Sequence, residues 1–135
     1  MAELKLEIVT PEKKVFDDTV DSVTVPTASG DAGILPNHAP LISALRPGIL
    51  TYSNKGGTSQ MVVSGGFMEV SNNAVSVLTD TAETADEIDA DAARADRDAA
   101  EKTMREFAMA PVEDAEATRE RLESATARLQ LASGR

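Results

Sequence analysis

The chain has 135 residues and carries 13 basic against 23 acidic side chains, a formal net charge of −10, which argues against phosphate backbones and anionic lipid surfaces as partners. It has no cysteine and one histidine, His38, so disulfides, thiolate metal sites and cysteine nucleophiles are excluded, and any metal would have only carboxylates and one imidazole to bind it. The length holds one ordinary domain, or one small domain with an appendage that borrows burial from it.

Apolar residues make up 41%, but with three Phe, one Tyr and no Trp the core has to be built from Val, Ile, Leu and Ala. Residues 1–85 and 86–135 each carry a net charge of −5, so charge is denser in the shorter C-terminal piece, as exposed helices require. No apolar run approaches the roughly 20 residues that span a bilayer, and Met1-Ala2-Glu3-Leu4-Lys5-Leu6-Glu7 lacks the basic and apolar regions of a signal peptide. The expectation is a soluble protein of the cytoplasm.

In chain order, Leu4, Leu6 and Ile8 alternate with Glu3, Lys5 and Glu7, a period of two that predicts a first strand with one apolar face. A turn at 10–14 follows. Val15-Phe16 and then Val20, Val23 and Val25 continue β-branched runs that close at Pro26. The segment Gly30-Asp31-Ala32-Gly33-Ile34-Leu35-Pro36-Asn37-His38-Ala39-Pro40 reads as a shaped loop. Gly30 and Gly33 permit positive φ, the prolines fix φ, and Asn37 tolerates the left-handed region. Within it Asp31 and His38 are the groups best placed to reach a partner. As plain chain features, Asp31 reads equally as a turn residue and His38 as a cap on a neighbouring carbonyl.

Beyond the loop, Leu41 to Leu45, Ile49 to Tyr52, Met61 to Val63, Phe67 to Val70 and Val75 to Leu78 read as strands. They are separated by turn signals at Arg46-Pro47-Gly48, Asn54-Lys55-Gly56-Gly57 and Asn72-Asn73, with Gly65-Gly66 marking a bulge or close approach. Short strands at this spacing predict an antiparallel β-sandwich or flattened barrel over 1–83. At Thr84-Ala85-Asp86-Glu87 a capping-box pattern starts a helix, whose apolar stripe is expected at Ile88, Ala92, Ala95 and Ala99, widened by Met104 and Phe107. Pro111 halts it and suits the first turn of a second helix, with Glu113 and Asp114 near its N-terminus and Ala115, Leu122, Ala125, Leu129 and Ala132 on its apolar face. The fold class is therefore α+β: a β-sandwich followed by an antiparallel helical hairpin over 84–135, thin enough in burial to be mobile.

The order of the two parts, together with Asp21-Ser22-Val23-Thr24-Val25-Pro26, the Gly30 to Pro40 segment, Leu45-Arg46-Pro47-Gly48, Ser64-Gly65-Gly66-Phe67 and Asp91-Ala92-Ala93-Arg94-Ala95, resembles the epsilon-subunit family of bacterial F-type ATP synthases, whose mitochondrial counterpart is delta. The resemblance spans almost the whole chain, and its specific part is the Gly-x-x-Gly-Ile-x-Pro-x-His-Ala-Pro pattern. It implies a non-catalytic rotor part of a proton-driven ATP synthase. In the family the sandwich clasps the gamma subunit and rests on the membrane ring, coupling both to ATP synthesis from the cytoplasmic face of the cell (inner) membrane, without inserting into it. The ring contact carries over to Asp31 and His38, with Gly30, Gly33 and Pro36 as shape-setters.

The resemblance further implies a regulatory hairpin, able to leave the sandwich, extend along gamma toward the catalytic alpha and beta subunits and restrain ATP hydrolysis. Arg119, Arg121 and Arg128 are the candidates for a basic inhibitory face on an otherwise acidic hairpin. It implies no cofactor apart from regulatory ATP, which some members bind through an aliphatic-Asp-x-x-Arg-Ala motif. Asp91, Arg94 and Ala95 match that motif, but Ala90 stands at the aliphatic position, and Asp91 with Arg94 also reads as a surface ion pair. Two other classes stand beside this one: a free-standing β-sandwich that binds a small molecule at the loop, and an enzyme using Asp31 and His38 as an acid/base pair.

Overall fold

A computed structural model describes residues 3–106 and 112–133; Phe107 and Pro111, and the side chains of Glu113 and Asp114, lie outside the described residues. Ten strands form two five-stranded sheets. They are β1 (Leu4–Val9), β2 (Lys14–Val20), β3 (Ser22–Thr27), β4 (Gly30–Ile34), β5 (Leu41–Ala44), β6 (Gly48–Asn54), β7 (Gly57–Ser64), β8 (Phe67–Ser71), β9 (Ala74–Leu78) and β10 (Thr81–Glu83). The first sheet runs β2-β1-β9-β8-β5 and the second β10-β7-β6-β3-β4. The two sheets are the expected sandwich, with one departure from antiparallel pairing: β1 lies parallel to β9, because the last hairpin of the first sheet returns beside the first strand.

The core is the inner set of each alternating strand. Leu4, Leu6 and Ile8 of β1 meet Val23, Val25, Ile34, Leu50, Met68, Val70, Val75 and Val77, all closed to solvent. Tight turns set the registers. Lys55-Gly56 and Asn72-Asn73 adopt positive φ at both positions, the twist that suits two-residue hairpins. Edge strand β2 carries Lys14, Asp17 and Asp18, charges that discourage edge pairing. Lys14 is held above its ordinary pKa by Glu7 and Asp17, and Asp17 below its own by Lys14.

Two expectations about β structure change. The Gly30 to Pro40 segment is only half loop: Gly30–Ile34 is the edge strand β4, paired with β3 so that Asp31 faces Pro26 and Gly33 faces Thr24. Gly30 does sit at φ +119, but Gly33 has no positive φ and open space where a Cβ would stand, so the fold does not demand glycine there. A further short strand, β10, follows Val75 to Leu78, which had read as the last, and pairs with β7.

The helical part starts later than its capping box. Thr84 donates its backbone N–H to the Glu87 carboxylate at 2.9 Å, which holds the Glu87 pKa below its ordinary value, but this box closes only one 3-10 turn, Ala85–Glu87. The cap of the long helix is Asp89, whose Oδ1 accepts the Ala92 N–H at 3.1 Å. Helices α1 (Ala90–Glu106) and α2 (Val112–Ser133) follow, and Asp96 meets Arg121 across the pair, so the chain doubles back on itself.

The expected α1 stripe is out of register. Ala92, Ala95 and Ala99 are exposed, while Ala93 and Ala100 are buried, flanked by half-buried Asp96, Arg97, Thr103 and Met104. In a helix this rich in alanine, small residues fall on every face and the apolar period cannot choose between them. On α2 the expected Ala115 and Ala125 are buried and Leu122, Leu129 and Ala132 half-buried, but Ala127 and Leu131 form a second buried set, against Val62 of β7 with Ile49, Ala85 and Ile88 around it. Helix α2 thus lies between α1 and the second sheet.

The Gly65-Gly66 corner is the tightest point in the sandwich. A Cβ on Gly66 would stand 1.9 Å from the Leu78 carbonyl oxygen at a φ of +91. Gly66→Ala is expected to cost at least about 2 kcal/mol in urea unfolding. Gly33→Ala should stay within about 1 kcal/mol of the parent, on the stabilising side. Equal losses at the two positions would show that Gly66 is not a structural requirement.

Candidate functional site

The β4 edge and the loop behind it are held by short-range bonds. Thr27 Oγ1 donates to the Gly30 carbonyl at 2.5 Å and so closes the β3–β4 turn. In the loop, Asn37 at φ +69 donates its N–H to the Asn73 side chain, whose Nδ2 donates back to Asn37 Oδ1 at 3.4 Å. The loop is thereby pinned to the β8–β9 turn, and Leu35 projects from it, 63% exposed. His38 Nδ1 donates to the Ala39 carbonyl at 2.7 Å, the local cap that the sequence also allowed. Asp31 lies on the strand, exposed, and among the described residues its side chain enters no ion pair. No hydrogen bond joins Asp31 to His38, so the structure does not assemble them into an acid/base pair.

Asp31 does line a cleft of about 630 Å³. One wall is the β4 edge and the β5–β6 connection, with Arg46 at its mouth. The other is α2, through Glu123, Thr126 and Gln130. Arg46 bridges the two walls by pairing with Glu123 at 3.2 Å.

The arginines of α2 do not form one basic face. Arg119 pairs with Glu116 at 3.0 Å within the helix. Arg121, about 200° further round at 3.6 residues per turn, donates to Asp96 at 3.2 Å. Arg128 donates to Glu83 of β10 at 2.8 Å and lies 3.7 Å from Asp96, so it ties the sandwich, α1 and α2 at one point. Ser64 and Ser124 share a hydrogen bond at 2.8 Å across the same seam. On α1, Arg94 and Asp91 bond to each other at 3.0 Å, with the carboxylate 95% exposed.

Sequence reasoning missed a second surface. On the outer face of the first sheet, Val9, Leu78, Phe67 and Ala44 stand in one cross-strand row, with Ile42 one position on. Ile42, Phe67 and Leu78 are 70%, 48% and 41% exposed, and a hollow of about 300 Å³ lies beside Phe67 and Leu78. The signal was present as apolar residues at outward positions of otherwise alternating strands.

With this geometry in hand, residues 3–85 match the family described as ATP synthase, Delta/Epsilon chain, beta-sandwich domain. The chain belongs to that ATP synthase family. An ATP synthase epsilon chain of Herpetosiphon aurantiacus is 46% identical over 129 residues, covering 96% of this chain and 93% of that one. One from Desulforamulus reducens is 50% identical over 100 residues, 74% and 76% of the two chains. Among solved structures, the Euglena gracilis mitochondrial ATP synthase (OSCP/F1/c-ring) contains a chain similar at TM-score 0.78 and 25% identity, over 98% of this chain and 82% of that one. A chain of the Tetrahymena thermophila mitochondrial ATP synthase central stalk and c-ring shares the fold at TM-score 0.66 and 15% identity, over 96% of each. Among the described residues no helix of this family member is long and apolar enough to cross a membrane.

Arg128 is the polar hinge pin of the seam, part-buried with Glu83. Arg128→Met keeps the stem and removes the charge. It should weaken hairpin docking by about 1 to 2 kcal/mol, read as faster amide exchange in 112–133 with the β-strand amides unchanged. Unaltered exchange would leave docking to the apolar contacts alone.

Proposed function

We propose that this chain is the epsilon-type, non-catalytic subunit in the central stalk of a proton-driven F-type ATP synthase, peripheral to the cytoplasmic face of the membrane that holds the ring. The observation that carries the reading is the outward apolar patch of Phe67, Leu78 and Ile42: a sandwich with its own closed core has no use for it except to bury it against a partner. Gamma is the partner assigned to it. The β4 edge and its loop, with Gly30, Asp31, Gly33, Pro36 and His38, face the membrane ring. The pinned loop supports this, since Asn37 and Asn73 hold a projecting Leu35 in place. A small-molecule role at the loop is less well supported, because the cleft beside Asp31 is formed with α2 and not by the sandwich alone.

Residues 1–83 are proposed to fold without the hairpin, which acts as the regulatory part and meets the alpha and beta subunits only when it leaves the sandwich. Asp91 and Arg94 are candidates for a regulatory ATP contact, their mutual bond being one that a phosphate can replace. For the inhibitory arginines the geometry assigns different signs. Arg128 restrains the docked form through Glu83, so neutralising it favours release; Arg121 ties α2 to α1 through Asp96, and Arg119 pairs, among the described residues, within its own helix.

Two measurements test this reading. Ile42→Asp with Phe67→Asp should leave the sandwich folded and weaken its complex with gamma at least about thirtyfold; undiminished binding would remove the outer face from the stalk contact. In the reconstituted synthase, deleting residues 86–135 should raise ATP hydrolysis modestly while keeping synthesis, and Arg119→Ala should give part of that rise. Arg128→Ala, which removes a docking contact as well as an inhibitory charge, should give a smaller rise than Arg119→Ala. Hydrolysis unchanged by the deletion, or synthesis abolished by it, would contradict the regulatory role.

A further inference from the structure

The cleft beside Asp31 has a wall that belongs to the mobile part of the proposed mechanism. Asp31 projects from an edge strand with its carboxylate unpaired among the described residues, and Thr126 and Gln130 of α2 face the same space, both exposed. Glu123 and Arg46 neutralise each other at the mouth, which leaves one carboxylate and the hydrogen-bonding groups of Thr126 and Gln130 open. A partner segment that fills this space has to offer one cation and several hydrogen-bonding groups. A polar turn carrying a guanidinium or ammonium has that chemistry.

We propose that the docked α2 helix completes the ring-contact site: a ring segment offering a cation and hydrogen-bonding groups seats between Asp31 on β4 and Thr126 and Gln130 on α2, so that ring attachment and hairpin docking stabilise each other. This inference rests on the reading that the β4 edge faces the ring. Anything bound to Asp31 within the cleft lies against α2 only while α2 is docked. The hairpin is held there by Arg46 with Glu123, Ser64 with Ser124, and Arg128 with Glu83. Binding that requires the docked wall favours the docked state by the same factor, whichever site is considered first. The hairpin is then more than an inhibitor parked out of the way, and its departure costs the rotor part of its grip on the ring.

The absence of cysteine makes the test clean. Ser64→Cys with Ser124→Cys places two thiols where the native hydroxyls are 2.8 Å apart, and oxidation locks the hairpin down. In this locked full-length chain, Asp31→Ala and Thr126→Ala with Gln130→Ala are compared for binding to the detergent-solubilised ring carrying gamma. The lock ensures that any loss reports contact and not undocking. Asp31→Ala should raise Kd about tenfold and the α2 pair about three- to tenfold. In the unoxidised chain, adding the ring with gamma should raise the fraction trapped as disulfide. If Asp31→Ala weakens binding and the α2 pair does not, the composite site is overturned while the β4 edge stays a ring contact. If Asp31→Ala leaves binding intact, the β4-edge reading falls and the composite site with it. A trapped fraction unmoved by the ring overturns the mutual stabilisation.

Discussion

Val62 is the point on which the two halves of the molecule depend. Met61, Val62 and Val63 are buried consecutively in β7, and a strand buries three successive residues only when both faces of its sheet are covered. Met61 and Val63 belong to the sandwich core; Val62 points the other way and is closed off by Ala127 and Leu131. At about 1.5 to 3 kcal/mol for a fully buried aliphatic side chain, a contact of one valine, one leucine and small neighbours is worth a few kcal/mol before the ordering of the helices is subtracted. The hairpin is therefore docked by a margin comparable to the polar contacts around it. For that reason Arg128 and Glu83, which on a larger interface would be incidental, help decide where the hairpin sits.

Where a side chain's own chemistry fixes the backbone, the structure could be read from the sequence. The alternation of Leu4, Leu6 and Ile8, the Asn54 to Gly57 and Asn72-Asn73 turns and the Gly66 corner all stand as expected. Where geometry is imposed from outside, it could not. Gly30-Asp31-Ala32-Gly33 has little intrinsic preference for a strand and becomes one because β3 supplies a partner along its length. Alanines on every side of α1 hid its packing face, and the residue that marks that face, Asp96, is charged. A carboxylate in a helix interface reads as solvent-facing until the arginines that meet it, 25 and 32 positions on, are seen beside it.

The candidate site divides along the same line. Asp31 and His38 were identifiable as residue types, but their division of labour was not: His38 is turned to its own chain while Asp31 stays open on an edge shared with α2. The outer patch of Phe67, Leu78 and Ile42 escapes a reading of the sequence because an isolated outward apolar residue is unremarked in any strand. It becomes informative only when strand pairing sets Phe67 opposite Leu78 and leaves Ile42 diagonal to Phe67.

The arginines carry the final step, because a hairpin that leaves the sandwich as proposed would present their charge differently in each state. With a net charge of −5 over residues 86–135, the hairpin should be repelled by any acidic surface of a catalytic subunit. In the docked state Arg121 and Arg128 cannot offset this, being committed to Asp96 and Glu83. Lifting the hairpin as a rigid pair frees Arg128 from Glu83 but leaves both arginines beside Asp96. Only separation of α1 from α2 releases them together, seven residues apart on one face of α2 and able to meet two carboxylates at once. The basic surface that the proposed restraint on hydrolysis needs would thus arise only from opening of the hairpin. Under the proposed regulatory reading, undocking from Val62 and parting of the helices would be two steps, and the second would make α2 electrostatically competent.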